Sequence, residues 1–233
     1  MTRKLIHRRM VWWPTLFGWF CFLVSTLALV LSWCLYGEGF LATTVRFPAE
    51  VLVVEGWIGR GCLPGVLQEF HQGGYCLLVT GGGSTGNTWA AKRSNYANLA
   101  AEELLHEGLA RDRLLAAPAN ETDTQRTYQA ALAVRKALEA RGPIPAAINV
   151  WTRGPHARRS RLVFARVFGS ETRVGVISWI PDDQPDVAWW KSSERSKEFI
   201  GEAVGYLYER LLWSGRWLGG GAPMPKAAPG TTR

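Results

Sequence analysis

Cysteine is scarce, with four in 233 residues, which excludes a small scaffold stapled by disulfides. No group of His and Cys has the spacing of a metal site, and no metal ligand set is expected. No Gly-Lys-Ser/Thr completes a Walker loop, and no Gly-x-Ser-x-Gly elbow exists. Charged residues are only 20% against 47% hydrophobic ones, which excludes a wholly disordered chain. No collagen-like or internal repeat is present. Acids are the minority among the charges, 19 against 27 Lys and Arg, leaving a net charge of +8. The length suits one domain of ordinary size and an appendage.

The appendage is marked by another absence: Val11 to Tyr36 contains no ionised side chain. About 20 apolar residues at 1.5 Å rise span a hydrocarbon core of roughly 30 Å. Residues 16–36 therefore read as a transmembrane helix whose partner is the lipid bilayer. Trp12, Trp13 and Trp19 lie toward one end and Trp33 and Tyr36 toward the other, as interfacial aromatics do. A cleaved signal peptide would have a shorter apolar run and a small-x-small site, for which Leu41 to Thr44 is a poor candidate. Arg3, Lys4, Arg8 and Arg9 precede the span and only Arg46 follows it closely. The positive-inside rule then puts the stub 1–15 in the cytoplasm and the rest outside, on a single-pass protein of the inner, cytoplasmic membrane. Cys62 and Cys76, in the exported part, could pair or remain free thiols.

Residues 37–48 read as a linker, 49–214 as the exported domain, and 215–233 as a disordered tail without apolar period. Within the domain, short apolar runs alternate with helix-length segments. Strands are expected at 51–55, 75–80, 113–117, 146–152 and 173–177. Helices are expected around 63–72, 90–106, 122–141, 156–168 and 193–213. Thr122-Asp-Thr-Gln125 fits a capping box for the third of these helices. The alternation implies an α/β fold, a doubly wound, Rossmann-like sheet of five parallel strands with helices on both faces.

Ligands of such sheets bind beyond the carboxyl ends of the strands, where the strand order reverses. An order of three-two-one-four-five makes Glu55, after the first strand, a neighbour of His156, after the fourth. The run Trp151-Thr-Arg-Gly-Pro-His-Ala-Arg-Arg-Ser-Arg161 brings Arg153, Gly154, His156, Arg158 and Arg159 to the start of a helix. Free amide hydrogens and guanidiniums there would suit a phosphate or carboxylate. For Arg161 and Arg166 a solvated helix face is the simpler reading. Gly81, Gly82 and Gly83, with Ser84, Thr85 and Gly86, form a turn that a ligand could approach closely. Glu55 ends an apolar strand, where a carboxylate needs a partner, and could serve as acid or base. Arg126 is left over and reads as facing the crevice, whereas capping explains Thr122, Asp123 and Thr124.

These stretches together resemble the YdcF/SanA/ElyC-like family, also called domain of unknown function 218. The resemblance rests on VLVVEGW (51–57), YCLLVTGGG (75–83), the helix carrying Tyr96, Ala97 and Glu102, TDTQRTY (122–128) and NVWTRGPHARRSRLVF (149–164). WWKSSE (189–194) and the helix after it resemble one branch. The resemblance implies a Rossmann-like domain behind a membrane span and a role in cell-envelope metabolism, of peptidoglycan or surface polysaccharide. One branch is linked to a nucleotide-like methyl donor. It also implies functional positions at Gly81, Gly82, Glu102, Thr124, His156 and Arg159. Glu55-Gly56-Trp57 stands where many members have a second glycine, and Thr-Gln-Arg-Thr where others have Thr-x-Glu-Asn.

Three roles remain open. In an enzyme acting on an anionic, phosphate-bearing or lipid-linked envelope precursor, His156 would be acid/base, Arg153 and Arg159 would hold the anion, and Glu55 would orient or deprotonate. A binding module would hold a nucleotide-like or sugar-phosphate ligand without turnover. A scaffold would use Trp57, Trp89, Trp189 and Trp190. No cofactor or protein partner is named by these residues. Nucleic acid is not an expected partner, because the stub and the anion site explain much of the positive charge.

Overall fold

The computed structural model describes residues 13–85, 94–122, 124–181, 184, 187–212 and 215. The basic stub up to Trp12, and Gly86, Trp89, Asp123, Trp213 and the tail after 215, lie outside the described residues. The chain divides into two units, residues 1–37 and 38–233.

The first apolar helix, α1, runs over Leu16–Leu41. Its 26 residues give a length of about 39 Å at 1.5 Å each. Leu16, Phe17, Phe20, Leu23, Leu29 and Leu35 are all exposed along it. Such a helix is long and apolar enough to cross a membrane once. It does not stop at Tyr36 as expected, because its last turn belongs to the second unit. There Glu38 pairs with Arg195, Leu41 is fully buried, and the Phe40 ring lies 3.7 Å from the Arg158 guanidinium.

The segment after α1 is also no free linker. Val45 forms an antiparallel bridge with Val176, with N–H···O distances of 2.7 and 2.8 Å. The Asn149 amide bonds the backbone of Phe47 on both its N–H and its carbonyl. Gly175 permits this strap: a Cβ there would sit 1.9 Å from Asn149 Oδ1 and 2.6 Å from the Val45 carbonyl oxygen.

The second unit alternates strand and helix: β1 (Val51–Glu55), α2 (Leu63–Gln72), β2 (Leu77–Gly82), α3 (Tyr96–His106), β3 (Leu114–Pro118), α4 (Arg126–Arg141), β4 (Ala147–Arg153), α5 (His156–Phe168), β5 (Arg173–Trp179) and α6 (Ser193–Leu211). The sheet is all parallel, in the order β3-β2-β1-β4-β5. The period of two along β1 sorts its side chains to two cores. Val51 and Val53 meet Val134 and Leu138 of α4 and Phe164 of α5 on one face. Leu52 and Val54 meet Val66 and Phe70 of α2 and Leu104 of α3 on the other. Each fully buried side chain of this kind contributes roughly 1.5–3 kcal/mol. Both faces are covered, so the strands read as largely apolar runs.

Two helix starts differ from expectation. α3 begins at Tyr96 and not at residue 90, because the Asn95 side chain caps it by accepting from the Ala97 N–H at 2.9 Å; residues 90–93 lie outside the described residues. α4 begins at Arg126, and no capping box forms. The Thr122 hydroxyl instead closes a local turn with the Thr124 N–H and carbonyl at 3.2 and 2.7 Å. Gln125 then takes a left-handed backbone, φ 55 and ψ 37, which cannot be part of a right-handed first turn. Cys62 and Cys76 are both free; Cys62 is buried, which pushes its thiol up to about 12.

Candidate functional site

A cavity of about 790 Å³ opens at the carboxyl ends of β1 and β2 and at the amino ends of α4 and α5. It lies where the strand order reverses, between β1 and β4. Its volume is that of a small-molecule site.

One wall is a cluster of four charges. Glu55, the last residue of β1, is 2% exposed, and His156, the first of α5, is 4% exposed. The imidazole Nε2 stands 3.4 Å from the Glu55 carboxylate, and Nδ1 stands 2.9 Å from Glu202 of α6. Arg159 grips the same Glu202 with two nitrogens at 2.7 and 2.9 Å and touches the Thr127 hydroxyl of α4 at 3.2 Å. Ser160 donates to Glu55 at 2.8 Å. Gly205 makes room for this fork, since a Cβ there would be 3.0 Å from Arg159 Cδ and Nε. The Trp57 ring meets the imidazole edge to face at 5.0 Å between centroids.

The electrostatics follow from burial and charge pairing. Burial alone pushes the His156 pKa down, but Glu55 and Glu202 outweigh it and hold it at about 9. Burial pushes Glu202 up, and His156 and Arg159 pull it down to about 2. Glu55 is also pushed up by burial and ends below its ordinary value through His156 and Ser160. At neutral pH the cluster is thus an imidazolium and a guanidinium against two carboxylates, with no net charge. The raised pKa favours His156 as a holder or donor of a proton over an acceptor. Arg159 Nη2 also lies 2.9 Å from His156 Nδ1, so the guanidinium and the imidazole meet Glu202 side by side.

The adjoining wall, in touch with the first through Arg159 and Thr127, is the start of α4. Gln125 has no side-chain cap to offer, and the helical ladder begins with the Gln129 N–H donating to the Gln125 carbonyl at 3.0 Å. The amide hydrogens of Arg126, Thr127 and Tyr128 come before that ladder. Gln125 Oε1 is buried without a hydrogen-bond partner, and its residue lines the cavity. Arg126 lines it too, is exposed, and has no ion pair among the described residues. Gly81, Gly82, Gly83 and Thr124 complete this side. The glycines are partly a packing device. A Cβ on Gly81 would meet Val134 at 2.9 Å and one on Gly82 would meet Tyr96 at 2.8 Å, whereas Gly83 is open.

Three sequence candidates are placed elsewhere. Arg153 does not line the cavity; it pairs with Glu198 of α6 at 3.4 Å, and Gly154 lies beside the same carboxylate. Glu102 is exposed on α3, away from the cavity lining. The expected meeting of an imidazole with two guanidiniums is reduced to His156 with Arg159, both paired with Glu202, while the buried His156 Nε2 lies 3.4 Å from Glu55 without a hydrogen-bond partner among the described residues. Glu202, Gly205 and Glu209 were missed. They sit at i, i+3 and i+7 on α6, a spacing that puts an acid, a gap and an acid on one helical face. That period was visible in the sequence, but nothing there linked the face to α5.

Replacing Gln125 by glycine is expected to raise stability by up to about 1 kcal/mol, because glycine adopts the left-handed backbone without strain. Urea unfolding of the two forms checks this.

Comparison with models of protein families, with curated proteins and with solved structures returned no match. The fold and the cavity define an α/β protein with a Rossmann-like parallel sheet and one helix fit to span a membrane. No narrower class is defined by comparison.

Proposed function

We propose that the protein is a membrane-anchored, exported member of cell-envelope metabolism that binds an anionic, phosphate-bearing precursor in this cavity. The observation that carries the reading is the contrast between the two walls. The His156–Arg159 wall is neutralised internally by Glu55 and Glu202, so it gives no excess attraction for an anion. Arg126 and the open amide end of α4 face the same space with no carboxylate partner among the described residues. Helix amino ends and unpaired guanidiniums hold phosphate. The phosphate therefore belongs at Arg126, and the sugar or lipid-linked remainder reaches across to the imidazolium.

This arrangement moves the anion away from Arg153, where the sequence had suggested it. In the enzymatic form of the reading, water adds to the phosphorus as the P–O bond to the leaving oxygen breaks, His156 gives that oxygen its proton, the proton of the water passes to solvent, and Glu202 holds the imidazolium in place. Retention of ligand without turnover is the second reading, favoured by the depth at which the four charges satisfy one another. The cytoplasmic amino terminus and the exported domain follow from Arg3, Lys4, Arg8 and Arg9 before the span.

Calorimetry of the full chain in detergent with sugar phosphates tests the site. Wild type should bind, and Arg126→Ala should bind about tenfold to a hundredfold more weakly, the worth of one charge-assisted bond. Failure of wild type to bind any of them, or equal binding by the variant, would remove the assignment. Product formation during the same titration separates the enzyme from the binding module.

A further inference from the structure

A second hollow, of about 350 Å³, opens where the chain leaves α1. Thr43 lines it, just after the helix ends at Leu41. Arg158 and Arg161 of α5, Arg173 of β5 and the rings of Phe47 and Tyr206 line it as well. Arg158 donates Nε to the Phe40 carbonyl, and Arg161 donates Nε to the Val174 carbonyl at 2.9 Å. Arg173 stands 5.4 Å from the centre of the Phe47 ring.

None of these three guanidiniums has an ion pair among the described residues. That sets them apart from Arg46, Arg60, Arg135, Arg153, Arg159 and Arg195, each of which is paired with a glutamate. Three like charges around one hollow repel each other unless an anion joins them. The Nε bonds to the backbone aim Arg158 and Arg161 while leaving their terminal nitrogens for such an anion.

We propose that this hollow is a headgroup site for an anionic phospholipid. The guanidinium forks would take the phosphate, and Phe47 and Tyr206 would meet the glycerol and the start of the acyl chains, as aromatic rings do at a membrane surface. A lipid rather than a soluble phosphate is the occupant because the hollow adjoins the end of the apolar helix. The site is independent of the phosphate reading of the main cavity; it rests only on α1 being a membrane span.

The test uses the full chain, purified in a neutral detergent and offered phosphatidylglycerol and phosphatidylcholine, with retained lipid counted by native mass spectrometry. Wild type should prefer phosphatidylglycerol by about a hundredfold, on the basis of three arginines near a charged surface. The triple variant Arg158→Gln, Arg161→Gln, Arg173→Gln should lose that preference, and its lysine counterpart should keep most of it. Arg173→Gln alone changes an exposed side chain and should reduce the preference about fivefold without touching the fold. Equal retention of the two lipids by wild type, or no reduction in Arg173→Gln and the triple variant, overturns the site. Displacement of the lipid by millimolar glycerol phosphate also overturns it, in favour of a soluble ligand. Release of the chain from membranes by alkaline carbonate overturns the span and this site together; a chain that stays bound but shows no lipid preference overturns the site alone.

Discussion

Replacing His156 by alanine is expected to cost about 3–5 kcal/mol of stability, because it leaves the buried Glu55 carboxylate without a cation and takes from Glu202 one of its two. Glu55 and His156 are both nearly inaccessible, and each is the other's ion-pair partner at 3.4 Å. A purely catalytic His156, the acid/base role the sequence offers, would let the same substitution remove function and spare the fold. The packing says otherwise: a phenotype of His156→Ala would report folding as much as chemistry. The paired substitution His156→Gln with Glu55→Gln removes one charge of each sign and should recover a large part of the loss. Urea unfolding of the detergent-solubilised chain measures both. A single variant within about 0.5 kcal/mol of wild type, the size expected of a surface change, would mean the cluster is not the buried unit described here.

Stability should also fall on the alkaline side. The folded His156 pKa of about 9 lies above its ordinary value of 6.5, so the proton stabilises the fold. That contribution is whole below pH 6.5 and disappears as the pH climbs through 9. Its size is up to about 3 kcal/mol, shared with the carboxylates that create it. Glu202 works in the opposite sense: its folded pKa of about 2 lies below the ordinary 4.5, so its contribution is whole above pH 4.5 and fades toward 2. Unfolding measured at pH 6 and pH 9 should show the alkaline decline in wild type and little of it in Glu202→Gln. A flat wild-type profile across that interval would place His156 in its neutral form.

The sheet was legible because its signals are local and redundant. Val51 to Val54 is apolar and mostly β-branched, as suits a strand buried on both faces, and the crossover rule then leaves few strand orders. The neighbourhood of Glu55 and His156 followed from that order alone. What was not legible depends on contacts across long stretches of chain. Glu202 reaches His156 and Arg159 from the last helix, and nothing in FIGEAVGYLYERL states which helix its acids will face. Thr122 to Gln125 has the letters of a capping box, yet a hydroxyl turn and a left-handed Gln125 win there. Arg153 was expected in the crevice on proximity in sequence, and Glu198 holds it outside. The 37–48 segment is short, as linkers are, but Val176 of β5 and Asn149 of β4 bind it to the sheet.

The most direct measurement is anomalous diffraction from crystals of the full chain soaked in selenate, a dianion of phosphate's shape. In the main cavity, the selenium peak is expected within hydrogen-bond reach of the Arg126 guanidinium and the first amides of α4, and away from the neutral His156–Arg159 wall. A main cavity without selenium, or a peak held by Arg153 instead, would contradict the site.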